Sequence, residues 1–310
     1  MTRMTGIHHI TAIVGNVQEN VDFYAQVLGL RLVKRTVNFD DPGTYHLYFG
    51  DEKGSPGTII TFFPWSDAPR GTVGSGQVGV TTYVVPAGAL PHWEQRLQAK
   101  GISFKKQERF GEELLAFEDP HGLKLELVAR EEGKQNNWHT DELTKETAIK
   151  GFGGAILYSD HPTETVALLE QLMGLEKIAE NDDYFRLRST ADLGNIIDIP
   201  KSPHPRGRGG VGTVHHIAWR AADDHDELRW RSALELNGFS TTEVRDRQYF
   251  KSIYFQESGG ILFEIATDEP GFLTDEPDET LGTDLKLPPW LEEHRGKITK
   301  LLPALTDSSR

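Results

Sequence analysis

The sequence predicts an α+β fold of four repeated units, each a strand, a helix and three further strands (βαβββ). Strand-like apolar runs follow one helix-like segment in the same order four times along the 310 residues. Shifting the chain by 145 places lays Gly29 on Gly174, and shifting it by 138 places lays Glu126 on Glu264. Matches at the same point of a repeated order indicate internal duplication. Units one and three therefore correspond, as do units two and four.

In the first unit, residues 7–14 are expected to form the opening strand. The helix that follows is expected over residues 17–28, because Asn16 can cap its start and Gly29 can end it. Three strand-like runs, separated by turns rich in Asp, Gly and Pro, complete the unit. They are residues 30–39, 45–49 and 58–63.

The other three units repeat this order, and a glycine ends each of their helices. The second unit has a strand at 78–85, a helix at 91–100 and strands at 102–107, 113–118 and 123–129. The third opens with a strand at 152–157 and has a helix that contains 166–173. The fourth opens with a strand at 214–219 and has a helix at 226–236. The three glycines are Gly101, Gly174 and Gly238.

We therefore expect two domains of two units each. The polar and charged run that begins at Arg130 is expected to be the linker between them. The expected bounds are 1–130 for the N-terminal domain, 131–150 for the linker, 151–270 for the C-terminal domain, and 271–310 for a tail whose last helix covers part of a sheet.

The composition excludes several classes of function. The formal net charge of -14 disfavours binding to nucleic acids and to anionic membranes, because both need basic patches. No apolar run in the sequence approaches the roughly 20 residues of a membrane-spanning helix, and the N-terminus has no signal-peptide core. The sequence has no cysteine, which rules out disulfides and thiolate metal sites and favours a cytoplasmic protein.

Two histidine pairs and one glutamate suggest a metal site. Ile7-His8-His9-Ile10-Thr11 opens the first unit, and Val214-His215-His216-Ile217 opens the fourth. Glu264 lies inside an apolar run at the end of the fourth unit, where a carboxylate is costly unless it is paired or binds a metal. Two histidines and one carboxylate are the donor set of many non-haem Fe(II) oxygenases.

Only units one and four together supply this donor set. The position of His9 corresponds to Gly154 in the third unit, and the first strand of the second unit has no histidine. Glu126 of the second unit shares a strand face with Lys124, so we expect a solvated ion pair there rather than a metal ligand. The remaining histidines have no ligand-like spacing: His46, His92, His121, His139, His161, His204, His225 and His294.

Strand geometry leaves the choice within each histidine pair open. Neighbouring residues of a strand point to opposite faces, so only one histidine of each pair can enter a given cavity. If His9 faces the cavity, Thr11 faces it too and His8 does not. His216 holds the matching place in the second pair.

Three longer motifs resemble those of a known superfamily. They are His8 to Thr11, residues 32–42 (Leu-Val-Lys-Arg-Thr-Val-Asn-Phe-Asp-Asp-Pro), and residues 246–250 (Asp-Arg-Gln-Tyr-Phe) with the later Phe263-Glu264. With the four units, they resemble the vicinal oxygen chelate superfamily, which includes glyoxalases, antibiotic-resistance proteins and extradiol dioxygenases. In particular, the chain resembles ring-cleaving dioxygenases of the hydroquinone type over nearly its whole length.

The resemblance implies two vicinal oxygen chelate domains and an Fe(II) ion, with Mn(II) as the alternative, held by His9, His216 and Glu264. It implies that a hydroquinone or catechol reacts with O2, and it is compatible with a homo-oligomer. It places five further residues around the substrate: His8, Thr11, His215, Arg247 and Tyr254. Because strand alternation turns His8 and His215 away from the metal, either the strands bulge there or these two act from the side.

Two other functions remain open. A glyoxalase-like lyase or isomerase would use the metal as a Lewis acid and need a second carboxylate as base, which the last strand of unit one lacks. A metal-free protein that binds an aromatic or toxic small molecule would not need three donors in two distant units.

Two of the residues placed around the substrate also have purely structural alternatives. Arg247 could pair with Glu243 or Asp246, and Tyr254 could be a core aromatic.

Overall fold

The computed structural model describes residues 3–306 and consists mainly of two eight-stranded sheets. Unit one comprises β1 (Ile7–Val14), α1 (Val17–Val21) with a π-helical continuation (Asp22–Val27), β2 (Arg31–Asn38), β3 (Asp41–Gly50) and β4 (Ile59–Pro64). Unit two comprises β5 (Gln77–Val85), α2 (Leu90–Ala99), β6 (Phe104–Arg109), β7 (Glu112–Glu118) and β8 (Lys124–Ala129). Unit three comprises β9 (Gly151–Tyr158), α3 (Pro162–Ala167) with a π-helical continuation (Leu168–Leu172), β10 (Glu176–Glu180), β11 (Tyr184–Arg188) and β12 (Ile196–Pro200). Unit four comprises β13 (Thr213–Ala221), α4 (Asp224–Leu236), β14 (Arg245–Asp246), β15 (Lys251–Gln256) and β16 (Leu262–Thr267).

The first helix follows the local signals in its sequence. The Asn16 side chain accepts hydrogen bonds from the backbone N–H groups of Gln18 and Glu19, so it caps the helix as expected. Gly29 and Gly174 have φ angles of 70° and 76°, a conformation that ends a helix and that glycine adopts without strain. The helices of units one and three also share the π-helical last turn, which agrees with the correspondence between these units.

The two sheets do not follow the order of the chain. One has the strand order β14-β15-β16-β13-β1-β4-β3-β2 and joins units one and four. The other has the order β10-β11-β12-β9-β5-β8-β7-β6 and joins units two and three. Within each unit the first and last strands pair in parallel, and the first strands of two units pair antiparallel at the centre of each sheet. The predicted fold is thereby confirmed, whereas the domain bounds 1–130 and 151–270 remain a prediction.

One hydrophobic core extends through both sheets. Fully buried aromatic side chains such as Tyr24 and Trp219 belong to a single cluster with members from all four units. Residues 131–150 contain no helix or strand, yet Leu143 is buried in the same cluster. This segment is therefore packed against the sheets along part of its length. None of the described helices is long and apolar enough to cross a membrane.

The tail packs against unit one. It contains single 3-10 turns at Phe272–Thr274 and Asp278–Thr280, and the helices α5 (Pro289–Glu292) and α6 (Arg295–Leu301). The Tyr45 hydroxyl on β3 donates a hydrogen bond to the carbonyl of Pro303 at 3.2 Å. The acidic part of the tail surrounds Lys34 of β2, whose side chain is fully buried. Its Nζ lies 2.5 Å from Asp275 Oδ1 and 2.5 Å from Glu276 Oε2.

Removal of the Lys34 ammonium should destabilise the fold. A buried ion pair that loses one partner costs about 3–5 kcal/mol, because the other charge stays buried and unpaired. We expect Lys34→Ala to lower the free energy of unfolding by about this amount, measured by denaturant unfolding. The control is Lys53→Ala, because Lys53 forms an exposed pair with Asp278 at 3.8 Å. Such a pair contributes about 0–1 kcal/mol. Equal losses in the two variants would contradict a structural role for the Lys34 cluster.

Candidate metal centre

Two β-bulges interrupt the pairing between β1 and β13. On β1 the register shifts by one residue at His8, and on β13 it shifts by one residue at His215. A bulge leaves one residue unpaired and re-aims a side chain, and bulges are common beside active sites. Strict alternation along these strands therefore fails at both histidines. Of the two arrangements that the sequence left open for His8 and His215, the structure has the bulged strands.

Three donor atoms converge beside these bulges. His9 Nε2 lies 3.3 Å from His216 Nε2. Glu264 Oε2 lies 3.3 Å from His9 Nε2 and 2.8 Å from His216 Nε2. The strand that carries Glu264, β16, pairs in parallel with β13, which brings the carboxylate to the histidines. Within residues 3–306, this is the single group of histidine and acidic side chains close enough to share a metal ion.

The surroundings of Glu264 fit a metal ligand. Its side chain is fully buried, and neither carboxylate oxygen has a hydrogen-bond partner of acceptable geometry, although His216 Nε2 is close. A buried carboxylate without a partner is costly, and a bound cation would remove that cost. Donors at about 2.1 Å from one ion lie about 3 Å from each other when they occupy adjacent positions, which matches the separations above. The three residues therefore fit a divalent metal ion.

The electrostatics of the site favour the metal-binding forms of His216 and Glu264. Burial lowers the pKa of His216 from its usual value, in spite of the nearby Glu264 carboxylate. Burial acts to raise the pKa of Glu264, but the two histidines outweigh it and hold this pKa well below its usual value. A neutral imidazole and an ionised carboxylate are the forms that bind a metal.

The bulged histidines contact the far side of the donor rings. His8 Nδ1 lies 2.9 Å from His9 Nδ1, and His215 Nδ1 lies 2.8 Å from His216 Nδ1. If the Nε2 atoms of His9 and His216 bind a metal, their protons sit on Nδ1 and are donated to His8 and His215. Burial lowers the pKa of His8 well below its usual value and that of His215 to about 4. Both can therefore act as neutral acceptors that orient the donor rings.

A cavity of about 290 Å³ opens beside the donor atoms. Aromatic side chains form much of its wall: Phe39, Phe63, Trp65 and Phe250. Five of the residues singled out in the sequence line it: His9, His215, His216, Arg247 and Tyr254. The other three, His8, Thr11 and Glu264, are buried behind its surface. The structure thus brings all eight residues to one region, although their roles remain predictions.

Arg247 pairs with neither of the acids considered from the sequence. Its Nη1 lies 3.0 Å from Oδ2 of Asp40, which belongs to the turn after β2 in unit one. Glu243 instead accepts hydrogen bonds from Arg231, and Asp246 accepts one from the backbone. The ion pair with Asp40 therefore connects units one and four at the cavity.

Tyr254 faces the cavity rather than the core. Its ring meets the ring of His216 edge-on, with 5.6 Å between the centroids. The guanidinium carbon of Arg247 lies 5.7 Å from the centre of the phenol ring. Burial, together with the nearby Glu264 carboxylate, raises the pKa of Tyr254. The phenol therefore stays protonated beside the donor set.

His46 and Tyr48 are among the site residues that sequence reasoning missed. Both lie on β3 and line the cavity. The Tyr48 hydroxyl lies 2.9 Å from His46 Nδ1, and His46 Nε2 lies 2.7 Å from Thr61 Oγ1. The signal that could have found them is their alternation on a strand of the unit that carries His9. Ligand spacing alone gave no reason to select either residue.

The expectation of a solvated Glu126–Lys124 pair was wrong. Glu126 is buried, and it accepts two hydrogen bonds from Arg109, at 3.0 and 2.6 Å, and one from Thr82 at 2.9 Å. Arg109 also donates to Asp198 at 2.6 Å, so its guanidinium joins two buried carboxylates. These partners lie on two other strands, so the sequence around Glu126 does not reveal them. Their hydrogen bonds offset the free-energy cost of burying the carboxylate. Glu126 is still not part of any metal-binding group among the described residues.

A paired βαβββ fold with two histidines and one carboxylate at the centre of a sheet defines the class of protein. Residues 6–127 and 151–265 match the model of the Glyoxalase/Bleomycin resistance protein/Dioxygenase superfamily. The chain belongs to this superfamily, as the resemblance of its motifs implied.

Relatives of nearly equal length carry dioxygenase names. The chain is 60% identical over 299 residues to "Putative ring-cleaving dioxygenase MhqO" of Bacillus subtilis (strain 168), with 96% of each chain covered. It is 33% identical over 314 residues to the chlorohydroquinone/hydroquinone 1,2-dioxygenase of Sphingobium indicum, covering 97% of this chain and 96% of that one. The crystal structure of a "putative dioxygenase" from Bacillus subtilis subsp. subtilis str. 168 matches with a TM-score of 0.98 and 58% identity, covering 100% of this chain and 99% of that one. These relatives support the expectation of an oxidoreductase of the dioxygenase class.

Removal of the His8 imidazole should weaken metal binding without removing a donor. Mutation of a residue that hydrogen-bonds a metal-binding histidine typically weakens metal binding by about 10–100-fold. We expect His8→Ala to weaken Mn(II) binding by about this factor, measured by titration calorimetry on metal-free protein. His225→Ala, which removes an exposed histidine of α4, should bind Mn(II) like the wild type. Wild-type affinity in His8→Ala would contradict the orienting role.

The metal-free protein should lose stability in mild acid. In the folded chain the pKa of His8 lies well below the usual 6.5, whereas in the unfolded chain it returns to that value. The unfolded chain therefore binds more protons below about pH 6.5, and the free energy of unfolding falls as the pH falls through this value. His8→Gln should flatten this slope, measured by urea unfolding between about pH 5 and pH 7. A slope as steep as that of the wild type would contradict the assignment.

Proposed function

We propose that this protein is a ring-cleaving dioxygenase that inserts both atoms of O2 into a hydroquinone or catechol. The observation that carries the proposal is the convergence of His9, His216 and Glu264 beside a small, aromatic-lined cavity. The relative named a chlorohydroquinone/hydroquinone 1,2-dioxygenase, which spans nearly the whole chain, supports this class of substrate. The absence of cysteine leads us to expect the reducing cytoplasm as its compartment.

We expect Fe(II) in the site. Two histidines and one carboxylate on one face are the donor set of non-haem Fe(II) oxygenases, and Mn(II) suits the same oxygen and nitrogen donors. When bound, the ion would supply open coordination positions for the substrate and O2 and a path for electrons between them. His9, His216 and Glu264 would hold it, with His8 and His215 orienting the two imidazole rings.

The cavity suits a single substituted aromatic ring. Its volume of about 290 Å³ lies near the lower end of the range for small-molecule sites, which is about 300–1,000 Å³. Phe63 and Phe250 offer ring faces and edges against which an aromatic substrate can pack. The hydroxyl groups of a diol would face the metal donors that line the same cavity, His9 and His216.

Arg247 and Tyr254 would manage the charge and the hydrogen bonds of the substrate. A guanidinium in the cavity wall can stabilise the negative charge that develops on a substrate oxygen. Burial raises the pKa of Tyr254, so its phenol can donate a hydrogen bond. His215 lines the cavity and, as an acceptor at Nδ1, would carry a proton on Nε2 that it can donate.

The two rival functions have less support from the site. A lyase of the glyoxalase kind needs a second carboxylate as base, and β4 of unit one has no acidic residue. A metal-free binding protein would have no use for a fully buried Glu264 carboxylate with only two imidazole nitrogens beside it.

Oxygen uptake provides the direct test. Protein loaded with Fe(II) under anaerobic conditions should consume O2 and give a ring-opened product with 2-methylhydroquinone or catechol. Glu264→Ala should abolish uptake, because it removes one of three metal donors. Glu113→Ala, which removes an exposed acid of the other sheet, should match the wild type. If iron-loaded wild-type protein consumes no O2 with any dihydroxybenzene, the dioxygenase proposal is wrong and the lyase becomes the better candidate.

A further inference from the structure

Asp40 is the acidic side chain that meets both guanidinium groups of the cavity wall. Its Oδ2 atom lies 3.0 Å from Arg247 Nη1 and 3.6 Å from Arg245 Nη1. All three residues line the cavity beside the metal donors. Asp40 lies between β2 and β3 in unit one, whereas both arginines belong to unit four. The contact therefore connects the two units that build the site.

This contact also joins opposite edges of the sheet. In the strand order of the sheet, β14 is the first strand and β2 is the last. Arg245 lies on β14, Arg247 directly follows this strand, and Asp40 lies just beyond the end of β2. The two edges of the sheet therefore curl toward each other, and the ion pair spans the gap between them at the cavity.

The turn that carries Asp40 is held in place from two sides. Asn38 Oδ1 accepts a hydrogen bond from the backbone N–H of Asp40 at 3.0 Å. The ring of Phe39, the residue between them, meets the ring of Trp290 on α5 edge-on, with 5.6 Å between the centroids. The tail thus supports this part of the cavity wall, and the Asp40 carboxylate is presented from a fixed backbone.

The backbone at Arg247 is fixed as well. The backbone N–H of Arg247 donates to the carbonyl of Phe250 at 2.9 Å, and the N–H of Tyr249 donates to the carbonyl of Arg247 at 2.7 Å. Gln248 has a φ of 66°, which is uncommon outside glycine, and Asp246 Oδ1 accepts a hydrogen bond from its N–H at 2.7 Å. The direction of the Arg247 guanidinium then depends on the contacts of its long side chain.

Asp40 is the contact that gives this side chain its direction. Within the described part of the chain, it is the one acid that forms an ion pair with Arg247. Because a guanidinium is a rigid, planar fork, a hydrogen bond at Nη1 also fixes the directions of its other N–H groups. Without Asp40, the flexible side chain could turn outward to water or to the exposed Asp246.

The ion pair with Asp40 has little effect on stability. The Asp40 side chain is 62% exposed, and water screens an exposed ion pair so strongly that it contributes little to the free energy of unfolding. A carboxylate beside Arg247 also offsets part of the positive charge that the cavity wall offers. Neither effect favours an acid at this position, so the orientation of the guanidinium is what the acid supplies.

We propose that Asp40 is a positioning residue that holds the Arg247 guanidinium toward the substrate oxygen. The proposal rests on the proposed function, in which Arg247 stabilises the negative charge that develops on this oxygen. A donor that is already oriented costs no reorganisation during the reaction, and a small misplacement of such a group lowers the rate strongly. The gain from orientation therefore exceeds the loss from the charge of Asp40.

The first arm of the test is a double-mutant cycle. We expect Arg247→Met to lower kcat about 100-fold, because it removes a donor to the developing charge. Asp40→Ala should lower kcat about tenfold, a partial loss caused by misplacement of that donor. In the Arg247→Met background, Asp40→Ala should change kcat by less than about twofold, because no guanidinium remains to be positioned. Equal losses in the two backgrounds would overturn the positioning role.

Three further variants serve this arm. Asp40→Glu keeps the carboxylate and should recover part of the lost kcat. Asp40→Asn removes the charge, keeps the shape and should lower kcat if Asp40→Ala fails to fold. Asp182→Ala removes an exposed aspartate from the corresponding turn of unit three and should match the wild type. Urea unfolding should give nearly the same free energy for Asp40→Ala and wild type.

The second arm needs no turnover. The absorbance of 4-nitrophenol reports whether it is bound as the phenol or as the phenolate, in protein loaded with Zn(II), which has no redox chemistry. If Asp40 positions Arg247, Asp40→Ala should raise the pKa of bound 4-nitrophenol by about 1, because the phenolate loses a well-placed donor. If Asp40 only offsets positive charge, the same variant should lower this pKa.

The outcomes separate the positioning role from the proposed function. Active wild type with wild-type kcat in both Asp40→Ala and Asp40→Asn would overturn the positioning role and leave the dioxygenase proposal standing. Wild type that consumes no O2 with any diol would overturn the proposed function, and the pKa of bound 4-nitrophenol would then decide the positioning role independently. An unchanged or lowered pKa in Asp40→Ala would overturn it.

Discussion

The structure depends on one antiparallel contact between β1 and β13. These strands are far apart in sequence, with His9 and His216 separated by 207 positions, yet they lie side by side at the centre of a sheet. Their pairing joins the first unit to the fourth, and the parallel pairing of β16 with β13 then adds Glu264. Because both strands bulge at the same site, four imidazole rings gather where regular pairing would admit two.

The two sheets show how side chains alone decide whether this architecture has a metal centre. In the sheet of units two and three, the Arg109 guanidinium joins the carboxylates of Glu126 and Asp198, and Arg186 also pairs with Asp198, so two guanidinium groups lie beside two carboxylates. In the sheet of units one and four, a fully buried carboxylate has two imidazole nitrogens beside it. Buried charges must be compensated in both cases. In one sheet the buried charges are compensated by side chains, and in the other the three donors fit a cation.

The asymmetry between units one and four gives the site its chemical character. A carboxylate at both equivalent positions would place two bases beside the ion, as a lyase needs. Here the position on β16 has Glu264, and the equivalent position on β4 has Thr61, which is hydrogen-bonded to His46. At this position unit one therefore has neutral groups that donate and accept hydrogen bonds.

The sequence by itself determined the fold class, the fourfold repeat and the units that carry His9, His216 and Glu264. These follow from local apolar periodicity and from residue type, which are written along the chain. Tertiary structure alone decided that units one and four share a sheet, that Arg247 pairs with Asp40, and that His46 belongs to the site. It also decided that Glu126 is buried and that His8 and His215 contact the donor rings. Each of these depends on a register or a partner from a distant strand, and a one-residue shift in register changes which face a side chain occupies.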